Sequence, residues 1–237
     1  MLSKLRNDPF GFVRRAFYKL LIAPLKYRSK NGYDAQRYWR DRFEKYGLSL
    51  RGVGDEGLSE EENRKMYEEA GQHFLSLCQR EGIDFPSISA LEVGCGNGFY
   101  ARLLAEQGVG RYTGVDITDV FFPELCQRHP GFEFRRLDVT RETIAGKFDL
   151  VAMIDVIEHI TDEGQLAAAF EHVKQCLAPG GLLVLAPVSA RGRRSLFYVR
   201  FWELDDIKSC FHGYRFSELL PFRYSNMVAI GKPFNGE

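Results

Sequence analysis

Leu91-Glu92-Val93-Gly94-Cys95-Gly96-Asn97-Gly98 is the stretch that decides the fold class of this chain. Residues 88–93 are a short apolar run of strand length, and residues 100–107 carry helical periodicity, so the glycines fall in a strand-to-helix turn. Without a Cβ the backbone there can come close to a ligand, and the helix N-terminus adds N–H groups and positive potential. Such a turn fits nucleotide cofactors in general, and many tight turns bind nothing. The spacing is G-x-G-x-G. The place at which a dehydrogenase fingerprint G-x-G-x-x-G needs its third glycine is Phe99, and the Lys and Ser/Thr of a phosphate-binding P-loop are missing.

Outward from this turn the texture repeats. Strands are expected over residues 88–93, 111–116, 132–137, 148–154 and 181–187, with helices over 100–107, 120–128 and 163–177. Leu166, Phe170, Val173 and Leu177 mark the buried face of the last helix. Alternating short apolar runs and helices feed a parallel sheet. A helix over 203–210 and a hairpin from runs 215–221 and 224–231 complete the pattern. Open parallel sheets bind ligands in the crevice beyond the carboxyl ends of their strands, and the second, third and fourth strands end on acids. Asp116 ends the second, where it can accept from both ribose hydroxyls. Asp138 ends the third, within reach of an adenine amino group, and Asp155 ends the fourth. With Glu92, four acids face one crevice, which favours a cation over a diphosphate.

Taken in order, the glycine turn, Asp116, Asp138, the segment Asp155-Val156-Ile157-Glu158-His159 and Leu177-Ala178-Pro179-Gly180-Gly181 make residues 59–231 resemble the class I S-adenosylmethionine-dependent methyltransferases. The resemblance implies an α/β, three-layer Rossmann-like methyltransferase fold. Its sheet would be seven-stranded and mostly parallel with an antiparallel last strand. S-adenosyl-L-methionine would be the cofactor. Glu92 and the backbone at Gly94, Gly96 and Gly98 would hold its methionine end, Asp116 the ribose, and Asp138 with the Val139 backbone the adenine. Ile154 and Asp155 would line the site beside the sulfonium, and Asn97 and Ile117 belong to the same binding set. The implied activity is methylation of a small-molecule hydroxyl, or an amine, as in the ubiquinone-pathway and natural-product types. An inactive cofactor-binding scaffold and an NAD(P)-dependent oxidoreductase on the same core are the competing readings.

Glu158 and His159 lie just beyond the fourth strand, on the acceptor side of the crevice. His159 is the best placed general base, with Glu158 beside it, against a purely structural hydrogen bond. Asp155, Glu158 and His159, at i, i+3 and i+4, could also ligate a divalent metal together with a later histidine such as His212. The Glu-His pair also occurs in metal-independent relatives, so no metal is assigned.

Before this domain, residues 1–58 read as a basic amphipathic helical extension with a glycine-rich lid loop, and residues 59–237 as the catalytic domain. Lys plus Arg balance Asp plus Glu at 32 each, yet residues 1–30 hold eight bases and only Asp8 as an acid. A helix capped by Asp8 and opened by Pro9 is expected to stop before Pro24, with Val13, Phe17, Leu20 and Leu21 on one face. It could lie on an anionic membrane, cap the site or meet a second copy. A second helix runs from Asp34 to Tyr46, carries Tyr38, Trp39, Phe43 and Tyr46 on one broad face and stops at Gly47. Gly47, Gly52, Gly54 and Gly57 make a loop, and Ser59 with Glu62 forms a capping box opening a helix with Met66, Ala70, Phe74, Leu77 and Cys78 facing the core. Within residues 189–212, Arg191, Arg193, Arg194, Phe197, Tyr198, Phe201 and Trp202 could hold an anionic or aromatic acceptor, or pack on the core. A lipid-linked acceptor would suit the basic helix.

The even charge balance and the lack of an N-P-P-Y-like or stacked aromatic motif argue against nucleic acid as substrate. Five scattered cysteines without a C-x-x-C pair, and a leading apolar run broken by Pro24, point to a cytoplasmic protein that at most touches the inner membrane surface through residues 9–23.

Overall fold

The computed structural model describes residues 9–30 and 32–232, so the Asp8 cap lies outside the described residues. Helix α1 spans Pro9–Phe17, but the helical path does not stop before Pro24. It continues through a π-turn, Tyr18–Ile22, into Ala23–Lys26, with Pro24 in the first turn of that last piece. A wide turn and a fresh start remove the demand for a proline N–H, which is what normally ends a helix there. A two-stranded ribbon, Arg28–Ser29 with Gly32–Tyr33, links this rod to α2, Ala35–Tyr46. Asp34 caps α2 by accepting from the Arg37 N–H at 3.0 Å, and Gly47, at φ 57°, ends it.

Residues 47–58 are not a free loop. Leu50–Val53 form a helical turn, and the Arg42 guanidinium donates to the carbonyls of Gly52 at 2.6 Å and Arg51 at 3.3 Å as well as to that of Gly54. Asn63 accepts from the Asp55 N–H and donates to the Asp55 carbonyl, both at 2.9 Å, and Glu60 accepts from the Leu50 N–H. The backbone groups of a glycine-rich stretch still need partners when buried. Here three side chains, Arg42, Asn63 and Glu60, supply them.

Helix α3, Glu60–Arg80, opens with the Ser59–Glu62 capping box expected from sequence. Its inner face carries Ala70, Phe74, Leu77 and Cys78, while Asn63 and Tyr67, rather than the half-buried Met66, are the buried residues of the first turns. The βα units follow: β1 Ser89–Val93, α4 Phe99–Glu106, β2 Arg111–Asp116, α5 Phe122–Arg128, β3 Glu133–Arg136, β4 Phe148–Ile154, α6 Glu163–Cys176 and β5 Leu177–Val188. Then come α7 Leu204–Lys208, β6 Arg215–Phe216, β7 Leu220–Phe222 and β8 Ser225–Gly231.

One sheet joins all eight strands in the order β6-β8-β5-β4-β1-β2-β3, with β7 also paired to β8. Strands β1 to β5 are parallel to their neighbours, and β8 is antiparallel to β5. The short β6 and β7 pair with opposite ends of β8, Gly231 and Ile230 for one and Ser225 to Met227 for the other, so they share one lane of the sheet. Seven lanes result, mostly parallel, with the last long strand reversed.

Strand periodicity divides the core into two. Leu91, Val93, Val151, Met153, Leu183 and Leu185 point to one face and meet Leu166, Phe170 and Val173 of α6. Ala90, Leu150, Ala152, Leu182 and Val184 point to the other and meet Phe74 and Cys78 of α3 and Leu104 of α4. Parallel strands covered on both faces read as unbroken apolar runs, and β4 and β5 do. The carboxyl ends of β1 to β4 then converge on one edge of the sheet, beneath α2.

Candidate active site

A cleft of about 370 Å³ lies at that edge. Its floor is the glycine turn. Gly94, at φ 78°, could not be replaced, because a Cβ would stand 2.3 Å from Cγ2 of Val156. Gly94, Gly96 and Asn97 line the cleft; Gly98 does not. Gly98 is the left-handed residue that starts α4, turned so that a Cβ would meet Leu125 Cδ2 at 2.3 Å, and its part is the geometry of the turn. Asn97 faces both ways. It lines the cleft and donates through Nδ2 to the Leu48 carbonyl at 2.9 Å, tying the turn to the segment after α2.

All four strand-end acids reach the cleft. Asp116 accepts from the Gly96 N–H at 3.0 Å and the Thr118 N–H at 2.9 Å, which fixes its carboxylate against the turn, and Ile117 lines the cleft beside it. Burial pushes its carboxyl above the usual value, against those backbone donors. Asp138 accepts from the Thr140 N–H at 3.0 Å and hydroxyl at 2.7 Å, and Arg141 stands 3.4 Å from its other oxygen; Val139 follows it into the lining. Glu92 is buried and accepts a very short hydrogen bond from the Tyr112 hydroxyl. Burial raises its carboxyl to about 8, with the bond from Tyr112 opposing and the nearby Asp116 adding to the shift.

Asp155 has a partner that its place in the sequence did not announce. Together with Ile154 it lines the cleft, but it sits at φ 58° and its carboxylate accepts from Arg223 Nη1 at 2.7 Å. Arg223, itself at φ 52° in the β7–β8 turn, lies with its guanidinium 4.5 Å from the ring centre of Tyr67 and 4.8 Å from that of Phe222. Both residues hold left-handed backbone that non-glycine residues rarely adopt, and the pair braces one against the other. Burial works against the charge on Arg223, and Asp155, with Tyr67 and Tyr100, more than offsets it. Replacing Arg223 by Met leaves a buried carboxylate unpaired, so we expect a loss of about 3–5 kcal/mol in chemical denaturation, partly restored when Asp155→Asn is added. Equal stability of the single variant and the parent would remove the brace.

His159 lines the cleft from the 3₁₀ turn Ile157–His159. Its Nδ1 meets the Tyr198 carbonyl at 3.0 Å and therefore carries the proton, leaving Nε2 as an acceptor. Its ring packs edge-on to Trp39 at 4.8 Å between centroids and parallel to Tyr198 at 5.7 Å. Burial lowers the imidazole to about 4, assisted by the charges of Arg42 and Lys19 and opposed by the Tyr198 carbonyl. Glu158 does not line the cleft. It is buried, its Oε1 is 3.8 Å from His159 Nε2, and burial with the charge of Asp155 holds its carboxyl well above the usual range. With Asp155 committed to Arg223 and His212 on an exposed turn, no group of three or more His, Cys, Asp or Glu among the described residues is arranged for a metal.

The roof was not legible in the sequence. Ser29, Tyr33, Gln36, Trp39 and Phe43 line the cleft from the ribbon and α2, and Val53 and Tyr67 join them. Of these, only the aromatic face of α2 gave a signal, and periodicity could not say what it would meet. The segment 189–212 lies outside the lining. Trp202 is a core residue that donates to the carbonyls of Ile157 and Ile160, Arg194 donates to the Thr161 carbonyl, and Arg200 pairs with Glu163. Phe197 and Tyr198 pack instead with Tyr27, Tyr33 and Tyr38 under the N-terminal extension. Arginines and aromatics there support the backbone that carries His159.

Residues 60–219 match the family described as "Methyltransferase domain". A ubiquinone biosynthesis O-methyltransferase of Caulobacter sp. (strain K31) is 30% identical over 127 residues, 48% of this chain and 48% of that protein. A highly reducing polyketide synthase, number 40, of Fusarium pseudograminearum (strain CS3096) is 27% identical over 158 residues, 60% of this chain and 6% of that protein. The chain thus spans half or less of these curated relatives. Among solved structures, the DhpI–SAM–HEP complex superposes with a TM-score of 0.65 at 18% identity, covering 87% of this chain and all 100% of that one. N-methyltransferase NodS from Bradyrhizobium japonicum WM9, solved with S-adenosyl-L-homocysteine, does so with a TM-score of 0.58 at 17% identity over 84% of this chain and 98% of that one.

Proposed function

The chain belongs to the methyltransferase-domain family, and on that premise we propose that it transfers the methyl group of S-adenosylmethionine to a hydroxyl of a small-molecule acceptor. The observation that carries this reading is the cleft itself: four acids and two left-handed glycines on one side, a neutral histidine with a free Nε2 on the other. When bound, the cofactor supplies a methyl group on a sulfonium, an electrophile that needs no further activation.

The residues divide the work by position. Gly94, Gly96 and Asn97 let backbone approach the methionine end, and Glu92 takes its ammonium. Asp116, already oriented by two backbone donors, accepts from the ribose hydroxyls, with Ile117 against the sugar and base. Asp138 and the Val139 N–H face the adenine. Ile154 and the backbone of Asp155 form the wall nearest the reacting centre. Trp39, Phe43 and Tyr33 shield the acceptor side from water, and holding the nucleophile in line can itself contribute about 7–11 kcal/mol. A hydroxyl must give up its proton as it attacks, and His159 Nε2 is the group in base form that receives it. An amine attacks with its own lone pair and has no need of this histidine, and that difference favours oxygen as acceptor.

Calorimetric titration with S-adenosylmethionine, S-adenosylhomocysteine and NADH tests the reading. We expect micromolar binding of the two adenosyl sulfur compounds and none of NADH. Glu92 adds a signature. Burial holds its proton up to about pH 8, and the proton must leave when an ammonium arrives, so binding at neutral pH should release a proton and tighten as pH rises toward 8. Heats measured in buffers of different ionisation enthalpy report that release. Binding of none of the three by folded protein rules the reading out.

A further inference from the structure

The N-terminal rod has its amphipathic character inside out. Ten large apolar residues of the described chain are exposed, and eight of them fall between Phe10 and Leu25. Phe10, Val13, Phe17, Leu20 and Leu21 are each more than half exposed, and Leu25 is 75% exposed. The opposite side of the rod is the one held to the protein, through polar anchors. Lys19 pairs with Glu56 at 2.7 Å, Lys26 pairs with Asp41 at 2.6 Å, and Ala23 and Tyr27 are the buried residues between and beside them. A helix that merely capped the site would turn its phenylalanines and leucines inward. This one is fixed with them outward.

Charge and position say what covers that face. Between Pro9 and Lys30 the chain has Arg14, Arg15, Lys19, Lys26, Arg28 and Lys30 and not one acid. Of these, Arg14, Arg28 and Lys30 are exposed and take no part in the anchors. A second copy meeting the same face about a two-fold axis would press these bases against their own equivalents, which disfavours a dimer. An anionic lipid surface matches both features, apolar area to bury and negative charge for the rim. The strip also runs to the mouth of the cleft, since Ser29, four residues after Leu25, already lines it.

The geometry points to residues 10–25 as a docking face for an anionic bilayer, which sets the cleft mouth against the membrane and makes the acceptor an amphiphile reached from the lipid. The docking step stands by itself; the nature of the acceptor rests on the methyltransferase reading above. No helix among the described residues is long and apolar enough to cross a membrane, so the contact is peripheral.

Co-sedimentation of the full chain with vesicles of equal parts phosphatidylcholine and phosphatidylglycerol, and with phosphatidylcholine alone, tests it. Binding is expected to the anionic vesicles, weakened by salt. Phe17→Glu with Leu21→Glu should reduce it about tenfold or more, because two anchors become like charges at the surface. These sites are exposed, so S-adenosylmethionine affinity should stay within about twofold, which also verifies folding. No binding of the parent chain to anionic vesicles, or undiminished binding of the double variant, overturns the proposal. So does a dimer in sedimentation velocity that the double variant loses, for then a second copy covers the face. Vesicle binding without any binding of S-adenosylmethionine would leave the docking face standing and remove the methyltransferase reading instead.

Discussion

Asp116→Ala is expected to weaken S-adenosylmethionine binding by about a hundredfold, two charge-assisted hydrogen bonds of roughly 1.5–3 kcal/mol each being lost and partly replaced by water. The effect should exceed that of any other single change in the cleft for a structural reason. Asp116 holds the Gly96 N–H at 3.0 Å and the Thr118 N–H at 2.9 Å, so the same carboxylate that would accept from the ribose also shapes the turn beneath the methionine. Asp116→Asn keeps an acceptor and the shape but loses the charge, and should fall between the two. Calorimetry on both variants decides it. Parent-like affinity in folded Asp116→Ala would mean that the ribose lies elsewhere.

Turnover should fall by about 10²–10⁴ in His159→Ala while cofactor affinity stays within about twofold, the split expected of a base that touches only the acceptor. The pH profile gives a second handle. Burial lowers the imidazole from 6.5 to about 4, so His159 is in base form throughout the neutral range, and turnover should stay level from about pH 8 to 6 and drop only in acid. The stability sign follows from the same shift. The unfolded chain takes up this proton near 6.5 and the folded chain does not until about 4, so His159 contributes stability that is lost as pH falls through that window. A variant that loses cofactor affinity and turnover in equal measure would make His159 a structural residue, held by Tyr198 and Trp39 for packing alone.

The glycine turn and the acids that line the cleft were legible in the sequence because they are local. A glycine turn announces its backbone, and an acid at the end of an apolar run can only point out of the carboxyl edge of a parallel sheet, which is how Glu92, Asp116 and Asp138 could be placed from residue types alone. The rest depends on distance. Asp155 could be put at its strand end, but nothing near it in sequence told that Arg223, 68 residues on, would take its carboxylate. The roof residues Tyr33, Trp39 and Val53 precede the recognisable domain, and their target is set by how α2 docks. Arg191, Arg193 and Arg194 drew attention by composition, a property that cannot separate a binding cluster from arginines that support backbone.

The cleft is assembled from two stretches of chain that meet along a seam. The floor comes from residues after Ser89, and the roof from residues 29–53 with Tyr67; Asn97 to Leu48, Tyr33 to the His159 carbonyl and Arg40 to Asp119 tie them by polar contacts, and Trp39 to His159, Phe43 to Phe121 and Tyr38 to Tyr198 by ring contacts. A contiguous roof can be exchanged as a block. Recombination that brought a different leading segment to the same sheet would present a new acceptor to an unchanged methyl donor, provided that the incoming piece supplied a carbonyl for Asn97 and a ring for His159. A graft that redirects specificity has to satisfy these seam contacts and, where it is cut between residues 53 and 60, to restore the bonds of Arg42 and Asn63 to the backbone of residues 51–55 and the pair of Lys19 with Glu56.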